Sequence, residues 1–466
     1  MRKPSNWLHT GPLLITTAIW TSFAGCAAFQ QPPPPETIEK VSHDLRVFPL
    51  PGGLNETWML HSNSPERVEQ SGILVSSLPP AKLEDKRKLG VALQGEFGLF
   101  LHHVARTPPL SSSRLYLAVV ASNPAERETA LKVKQGAFFR TWPEAPFYAL
   151  SGIQNNDSGQ IFAGAGDRLS LAWLRGENTI EPRAVQLPAH AHRVLLLEAV
   201  PTNPLWVLQQ DNALSGLFQF QSEDPVYLST LAWVSQTGEP PQEKDLIQML
   251  ESGLAAGPEE APATAYISGQ PPPRGVFRYG RVAGIGNGSE WQGQLNPLPV
   301  EVGERVGFPI ASVYLKRLGT QQNQSAPLHK RVSETAIESH GNYGLKYSLK
   351  AQLHNPDTRP RRYAIYLHNP LEVRLQPDLP HQAEAIFQTS RSAAVRFRGS
   401  LLLSWKVDSA DKIEESLMHQ ILHEGEEAGA LKIFELPAQS SSELKIELVY
   451  PPDATPPQLL ELQRLS

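Results

Sequence analysis

The sequence predicts an all-β fold made of two related antiparallel β-sandwich-like domains, with one short helix and Pro-rich linkers. Proline is the first observation, since 42 of the 466 residues are proline and each interior proline costs a helix about 3 kcal/mol. Short strands and loops are therefore favoured over long helices. The second observation is that two segments each occur twice along the chain, in a pattern typical of β-hairpins.

The first repeated segment is Glu435–Glu447, which matches Gln186–Glu198 earlier in the chain. Leu-Pro-Ala follows the first residue of both copies, and glutamate ends both. Apolar residues then alternate with polar ones, as Leu444, Ile446 and Leu448 do in the later copy. Alternation places such residues on one face of a strand. Each copy therefore predicts a short strand, a turn led by proline and a second strand.

The second repeated segment is Leu115–Val133, which matches Lys346–Leu367. Both copies place two strands around a turn, at Asn123 and Asn355, and each asparagine is followed by proline. Asparagine initiates such a turn, and proline cannot continue the strand ladder. The two repeats are spaced differently in the two halves, which indicates insertions between them. Two repeated hairpins predict that one antiparallel sheet packs on another in each half.

The domain organisation follows from these repeats and from changes in composition. One helix is predicted after Pro241, with Leu246, Met249 and Leu250 on one face and Gly253 at its end. The predicted parts are a signal peptide with a lipobox-like end (1–26), a Pro-rich tether (27–40), β-sandwich domain 1 (41–235), the short helix with a Pro/Gly-rich linker (236–275) and β-sandwich domain 2 (276–466).

The N-terminus is typical of an export signal. Arg2 and Lys3 precede an apolar run that is too short to cross a bilayer. Phe23-Ala24-Gly25-Cys26 then resembles a bacterial lipobox, whose cysteine becomes lipidated, and Cys26 is the only cysteine in the chain. We expect a lipid-anchored envelope protein that faces the periplasm or the cell surface. The alternative is ordinary signal cleavage nearby and a soluble periplasmic or secreted protein.

Two glycine-rich stretches resemble phosphate-binding loops only in part. The stretch 164–168 (GAGDR) lacks the third glycine of the dinucleotide fingerprint, and the sequence predicts a strand rather than a helix after it. We interpret this stretch as a tight turn before that strand. The stretch 284–288 fails in the same way and is interpreted as a hairpin loop.

Charge and residue chemistry exclude several classes of function. The net charge of −5 gives no electrostatic reason to expect nucleic acid. His190 and His192 are two positions apart, which on a strand would aim both at one metal ion. Their positions in the later repeat are Gln439 and Ser441, which favours a polar turn instead. No metal site, cofactor or catalytic residue is predicted.

The best candidates for a binding role lie in the sequence HGNYG. His340, Asn342 and Tyr343 are flanked by glycines in a predicted loop, and polar residues on loops are typical of binding sites. A plain turn is the alternative. Ser409 and Lys412 match the S-x-x-K pattern of a hydrolase class, but the other motifs of that class are absent from the sequence.

Seven stretches of the mature chain resemble one family. Besides GAGDR and HGNYG they are 50–54 with 62–74 (SNSPERVEQSGIL), 279–284 (YGRVAG), 325–327 (SAP) and 450–458 (YPPDATPPQ). In order and spacing the chain is similar to the domain-of-unknown-function 3370 family of cyanobacteria. The resemblance implies an exported protein and carries no assigned activity or site residue.

These observations predict an exported envelope protein with a non-catalytic binding or structural role. Its partner would be a wall polymer, an exopolysaccharide or another envelope protein, and the lipid on Cys26 would be its only contact with a membrane. The alternative is an envelope polysaccharide hydrolase or lyase. Such an enzyme would need a His–acid pair or convergent carboxylates assembled from distant positions.

Overall fold

The computed structural model describes residues 39–106, 114–201, 212–267, 270–407 and 413–466. Cys26, the signal segment and residues 27–38 of the tether lie outside the described residues, as do Ser409 and Lys412, whereas Lys40 at the end of the predicted tether begins the first strand. About 50% of the chain is strand and about 5% is helix, which confirms the all-β, sandwich-like fold class. No helix among the described residues has both the length and the apolarity needed to cross a membrane.

The described residues form 26 strands and two helices. In chain order the elements of the first half are β1 Lys40–Val47, β2 Gly53–Leu54, β3 Trp58–Ser62, β4 Arg67–Val68, β5 Gly72–Ser76, β6 Leu93–Ala105, β7 Arg114–Ser122, β8 Thr129–Arg140, β9 Ile153–Asn155, α1 Ala165–Leu174, β10 Arg183–Leu187, β11 His192–Val200, β12 Asn212–Ser235 and α2 Glu243–Ser252.

In the second half, all elements of the described residues are strands. They are β13 Ala283–Asn287, β14 Glu290–Gln294, β15 Arg305–Ile310, β16 Ala326–Arg331, β17 Glu338–Ser339, β18 Lys346–Asn355, β19 Arg361–His368, β20 Glu372–Leu375, β21 Gln382–Gln388, β22 Val395–Val407, β23 Glu414–His423, β24 Lys432–Leu436, β25 Ser440–Val449 and β26 Gln458–Arg464.

Three sheets organise these strands. Sheet A has the order β20-β21-β1-β15-β26-β19-β24, and sheet B the order β2-β14-β18-β25-β22-β23-β9. The 12-stranded sheet C runs β10-β8-β12-β6-β3-β13-β16-β17, with β4, β5, β7 and β11 attached beside this path. Most pairs are antiparallel, although β1 with β15, β14 with β18 and β3 with β6 are parallel.

Early strands complete the sheets of the second half. β1 pairs with β15 and β21, β2 pairs with β14, and β9 pairs with β23. In sheet C, β3 likewise pairs with β13. Residues 39–466 accordingly form one compact unit. The domain boundaries at 236–275 stay a prediction, and these pairings cross them.

The prediction that the repeated segments are β-hairpins is wrong, because the strands on either side of each turn pair with strands of the other repeated segment and not with each other. The two Asn-Pro turns nevertheless occupy equivalent places in the two halves. Asn123 Nδ2 donates to the carbonyl oxygens of Leu187 and Pro188, at 2.9 and 3.1 Å. Asn355 Nδ2 donates to the carbonyl oxygens of Leu436 and Pro437, at 3.1 and 2.8 Å. In each half, therefore, the asparagine of one repeated segment donates hydrogen bonds to the Leu-Pro carbonyl groups of the other repeated segment. We call these two places the first and second Asn corners.

The strand pairing around the two corners is also the same. In the first half β7 pairs with β11 and β8 with β10, and in the second half β18 pairs with β25 and β19 with β24. His190 and Gln439, at matching positions after Leu-Pro-Ala, both adopt a positive φ, of 55° and 52°. The repeats seen in the sequence are therefore repeats of structure.

The helices give one confirmed prediction and one that is wrong. α2 ends at Gly253, whose φ of 76° is left-handed, and it buries Leu246, Met249 and Leu250 as expected. The stretch GAGDR is not a turn before a strand, because α1 begins at Ala165. The stretch 284–288 is not a hairpin loop, because most of its residues lie in β13 of sheet C and its end leads to β14, which pairs in sheet B.

Candidate functional site

Helix α1 lies between sheets B and C. It contacts β8 and β12 on one side and β22 and β25 on the other. Ala165, Leu169 and Ala172 are buried in one core cluster with Leu217 of sheet C and Val449 of sheet B. Burial on two sides stabilises this short helix more than its own sequence does, because helices of about ten residues are marginal alone.

The start of α1 is packed so closely that only glycine fits at positions 164 and 166. A Cβ on Gly166 would lie 2.7 Å from Asp453 Oδ1 and 2.6 Å from Pro452 Cγ. A Cβ on Gly164 would lie 2.9 Å from Asp453 Oδ2 and 2.5 Å from a ring carbon of Phe147. The glycines of GAGDR therefore let a carboxylate from the end of the chain approach the N-terminus of α1.

A buried histidine–carboxylate pair lies at the same place. His419 Nε2 is 2.7 Å from Asp167 Oδ2, and both side chains are 0% exposed. Asp167 Oδ2 also accepts the backbone N–H of Ala163 at 2.7 Å. Asp167 Oδ1 and His419 Nδ1 are buried and have no hydrogen-bond partner. α1 thus joins β23 by a polar contact in the interior.

Asp453 is the third member of this group. Both of its carboxylate oxygens are buried and without a hydrogen-bond partner. Burial, followed by the nearby charge of Asp167, raises the pKa of Asp453 to about 7, while Arg398 acts in the opposite direction. A carboxyl group with such a pKa exchanges a proton near neutral pH. We call Asp167, His419 and Asp453 the acid–histidine cluster.

The segment between β8 and β9 lies against the start of α1, next to this cluster. Within Thr141–Gly152, which we call the aromatic loop, Trp142, Phe147 and Tyr148 are 37%, 42% and 52% exposed. Phe147 contacts the start of α1, and the guanidinium of Arg398 lies 4.9 Å from its ring centroid. Exposed aromatic side chains on a loop thus adjoin a buried group that can ionise.

The residues of HGNYG have their polar atoms engaged within the protein. His340 Nε2 lies 2.7 Å from the carbonyl oxygen of Gly280, and burial lowers the pKa of His340. Asn342 Nδ2 donates to the carbonyl oxygen of Gln324 at 2.7 Å. Tyr343 donates to the carbonyl oxygen of Ala454 at 3.0 Å. These bonds give the three residues a structural part, and their binding role stays a prediction.

The stretches that resemble the family form one continuous region. Glu66 of the first stretch pairs with Arg281 of YGRVAG, and the ring of Tyr279 lies 4.8 Å from that of His340. Asn342 accepts the N–H of Ala326 in SAP. HGNYG then contacts YPPDATPPQ, which reaches GAGDR through Asp453. Segments from opposite ends of the chain therefore meet beside the acid–histidine cluster.

The two histidines weighed as a metal pair point to different neighbours. His190 lies in the turn, 3.0 Å from exposed Glu126. His192 begins β11, and its Nδ1 lies 2.6 Å from the hydroxyl of Ser122. Among the described residues no group of three or more His, Cys, Asp or Glu is arranged to hold a metal ion.

Sequence reasoning did not find the acid–histidine cluster. His419 lies in an alternating strand and Asp453 in a proline-rich turn, so neither stands out locally. One signal was present, since an acidic residue in the first turn is typical of a helix start and Asp167 has this position.

Comparison with known proteins identifies a family without an assigned activity. The family model described as protein of unknown function (DUF3370) matches residues 45–464. No curated protein matches. Among solved structures, a reconstruction of the human norovirus GI.7 Houston strain virus-like particle is similar at 10% identity and a TM-score of 0.12, over 84% of this chain and 74% of that chain. So low a score carries no argument. The match to the family model covers most of the chain, and the protein therefore belongs to the DUF3370 family.

Proposed function

We propose that this protein is exported, anchored by lipid on Cys26, and binds a polymer or a protein of the cell envelope without catalysis. One observation carries the binding role: the aromatic loop exposes three large rings within seven positions. Aromatic side chains contribute most of the binding energy at many interfaces. The engaged polar atoms of HGNYG agree with this assignment, since they leave the recognition to other residues.

The proposed function is tested by co-sedimentation of the mature chain with isolated peptidoglycan, with purified exopolysaccharide and with envelope membranes. We expect retention by one of the three, and we expect the double variant Phe147→Ser, Tyr148→Ser to weaken it at least tenfold. Leu83→Ser is a matched control, because Leu83 is 97% exposed and lies in another part of the protein. Equal retention of the parent and the double variant would overturn the role of the aromatic loop.

The anchor is tested separately with Cys26→Ser in the full-length chain. The apolar run before Cys26 is too short to hold the protein in a bilayer, whereas a lipoprotein cysteine carries enough acyl chains for stable attachment. We expect the parent in the membrane fraction, with lipid on an N-terminal Cys26 by mass spectrometry. The variant should accumulate as an unlipidated precursor or a released form. A soluble parent whose N-terminus lies after Cys26 would contradict the anchor.

The acid–histidine cluster favours a second candidate, an envelope polysaccharide hydrolase or lyase. It joins a His–acid pair to a carboxyl whose pKa is about 7, and such a carboxyl suits a general acid. The cluster is buried, so this candidate requires the aromatic loop beside it to move. Release of reducing ends from envelope polysaccharide by the parent, abolished by Asp453→Asn, would establish it. No release by the parent would remove it.

A further inference from the structure

A partly polar cleft lies beside the C-terminal end of α1. Its lining includes no residue of the aromatic loop and none of the acid–histidine cluster. Its volume is about 210 Å³. Because a water molecule takes about 30 Å³ of the liquid, the cleft has room for roughly seven waters. Strands of sheets B and C both line it, together with Trp173 of α1.

Polar side chains form much of the lining. Thr57, Gln135, Gln219, Glu290 and Lys346 all border the cleft. In the part of the chain that the structure describes, the side chains of Thr57 and Gln219 make no hydrogen bond. Gln135 makes only a long one, of 3.5 Å, to the carbonyl oxygen of Trp173. Donors and acceptors are therefore left for something that enters the cleft.

The charges in the cleft balance each other. Lys346 Nζ lies 3.9 Å from Glu290 Oε1 and 2.7 Å from Glu447 Oε1, and Lys445 Nζ lies 2.8 Å from Glu447 Oε2, so two lysines face two carboxylates. A lysine held between two carboxylates offers little attraction to an anion, and Glu290 with Lys346 offers none to a cation. A neutral ligand fits this balance best.

Apolar and aromatic side chains complete the lining. Met59 and Leu217 line the cleft together with half-buried Trp173. An indole face packs against the C–H groups of a ligand, while amide, hydroxyl and ammonium groups bind its polar atoms. One ring that carries several hydroxyl groups presents both kinds of surface, and its size is close to the cleft volume.

We propose that this cleft binds one sugar ring of a neutral saccharide. The ring packs on Trp173, and its hydroxyl groups are bound by Gln219, Thr57 and Glu290. This inference goes beyond the proposed function, because it names a second site and does not depend on the aromatic loop.

The test is saturation-transfer NMR and calorimetric titration of the mature chain with glucose, N-acetylglucosamine and galacturonic acid as separate probes. We expect saturable binding of a neutral sugar with a dissociation constant in the millimolar range, and weaker binding of the acid. Gln219→Ala should weaken the binding about tenfold, which corresponds to about 1.4 kcal/mol. This variant removes no hydrogen bond within the described protein, so the fold should persist, as circular dichroism would verify.

Gln352→Ala is the matched control, since Gln352 is exposed on β18, the strand that carries Lys346. The control and the Phe147→Ser, Tyr148→Ser variant should bind the sugar as the parent does. Failure of the aromatic loop to bind the envelope would thus leave this result unchanged. Absence of saturable binding up to about 50 mM, well above the millimolar range, would overturn the proposal. Binding that Gln219→Ala leaves unaltered would place the sugar elsewhere and overturn it equally.

Discussion

The first and second Asn corners show how closely the two halves of the protein agree. In both, an asparagine after a strand donates to two carbonyl groups of a Leu-Pro pair, and its own Oδ1 accepts a backbone N–H two residues later. Away from the corners, the amino-acid sequences of the two halves differ almost throughout. The two halves therefore share a backbone frame, and that frame is held by side-chain bonds that the repeats preserve.

The halves differ in what is inserted into this frame. Between β8 and β10 the first half carries the aromatic loop, β9 and α1, and between β19 and β24 the second half carries β20 to β23. These insertions occupy corresponding places, and they meet. β9 pairs with β23, and Asp167 of one insertion contacts His419 of the other. The candidate chemistry thus lies where the halves differ, on a frame where they agree.

The largest expected effect concerns this meeting point and is a dependence on pH. The pKa of Asp453 is about 7 in the folded protein, compared with about 3.8 for an aspartate in the unfolded chain. Between these values the unfolded chain binds fewer protons, so the free energy of unfolding falls as the pH rises. Each unit of pKa difference is worth about 1.4 kcal/mol. Asp453→Asn cannot ionise, and it should be more stable than the parent at pH 8 by a few kcal/mol but not at pH 4.

Urea denaturation from pH 4 to pH 8 measures this difference. Asp167, His419, Arg398 and Tyr343, which lie near Asp453, are left in place in the variant, so the two proteins differ only in the carboxyl group at position 453. Asp378→Asn serves as the control, because Asp378 is fully on the surface. Parallel curves for the parent and Asp453→Asn would show that Asp453 does not ionise in this range.

A smaller effect, of about 2 kcal/mol, is expected from either corner. Asn123→Ala and Asn355→Ala each leave buried carbonyl oxygens without their donor, and an unsatisfied buried group costs about 1–3 kcal/mol. If the frame is shared, the two losses of unfolding free energy should agree to within about 1 kcal/mol. Chemical denaturation at one pH compares them. A corner whose variant is as stable as the parent would show that the likeness is one of shape alone.

The positions of these turns were also what the sequence predicted best, although the hairpin pairing predicted around them was wrong. Asn-Pro and Leu-Pro-Ala are local signals, since turn chemistry acts within a few residues. The alternation in β25 and the glycine after α2 are equally local. Strands that complete a distant sheet, such as β1 and β9, carry no such signal, because their partners lie hundreds of residues away.

Helix α1 was missed for a related reason. Leu169, Leu171 and Trp173 alternate with smaller residues, as they would in a strand, and glycines precede them. The helix forms because two sheets bury it. Tertiary contacts of this kind override local propensity, and the acid–histidine cluster is built from the same contacts.

The smallest expected effect comes from a pair of residues that the two halves exchange. In the first half the hydroxyl of Ser122 lies 2.6 Å from His192 Nδ1, and in the second His354 Nδ1 lies 2.9 Å from the hydroxyl of Ser441. Serine lies on β7 and histidine on β11 in the first half, whereas histidine lies on β18 and serine on β25 in the second. The contact between histidine Nδ1 and the serine hydroxyl is the same in both.

Exchanging the histidine and the serine of a pair by mutation should therefore lower the free energy of unfolding only slightly where the larger side chain has space. His354 is exposed, so the double variant His354→Ser, Ser441→His should change the free energy of unfolding by less than about 0.5 kcal/mol, as surface substitutions do. Ser122 is 2% exposed and lies beside Tyr227, because β12 also pairs with β7. Ser122→His, His192→Ser should accordingly cost about 1–3 kcal/mol, the usual result of overpacking. Thermal denaturation of the two double variants compares them directly. Equal costs would mean that β12 does not close the first half over this position, and the two halves would then be more alike than the strand pairing indicates.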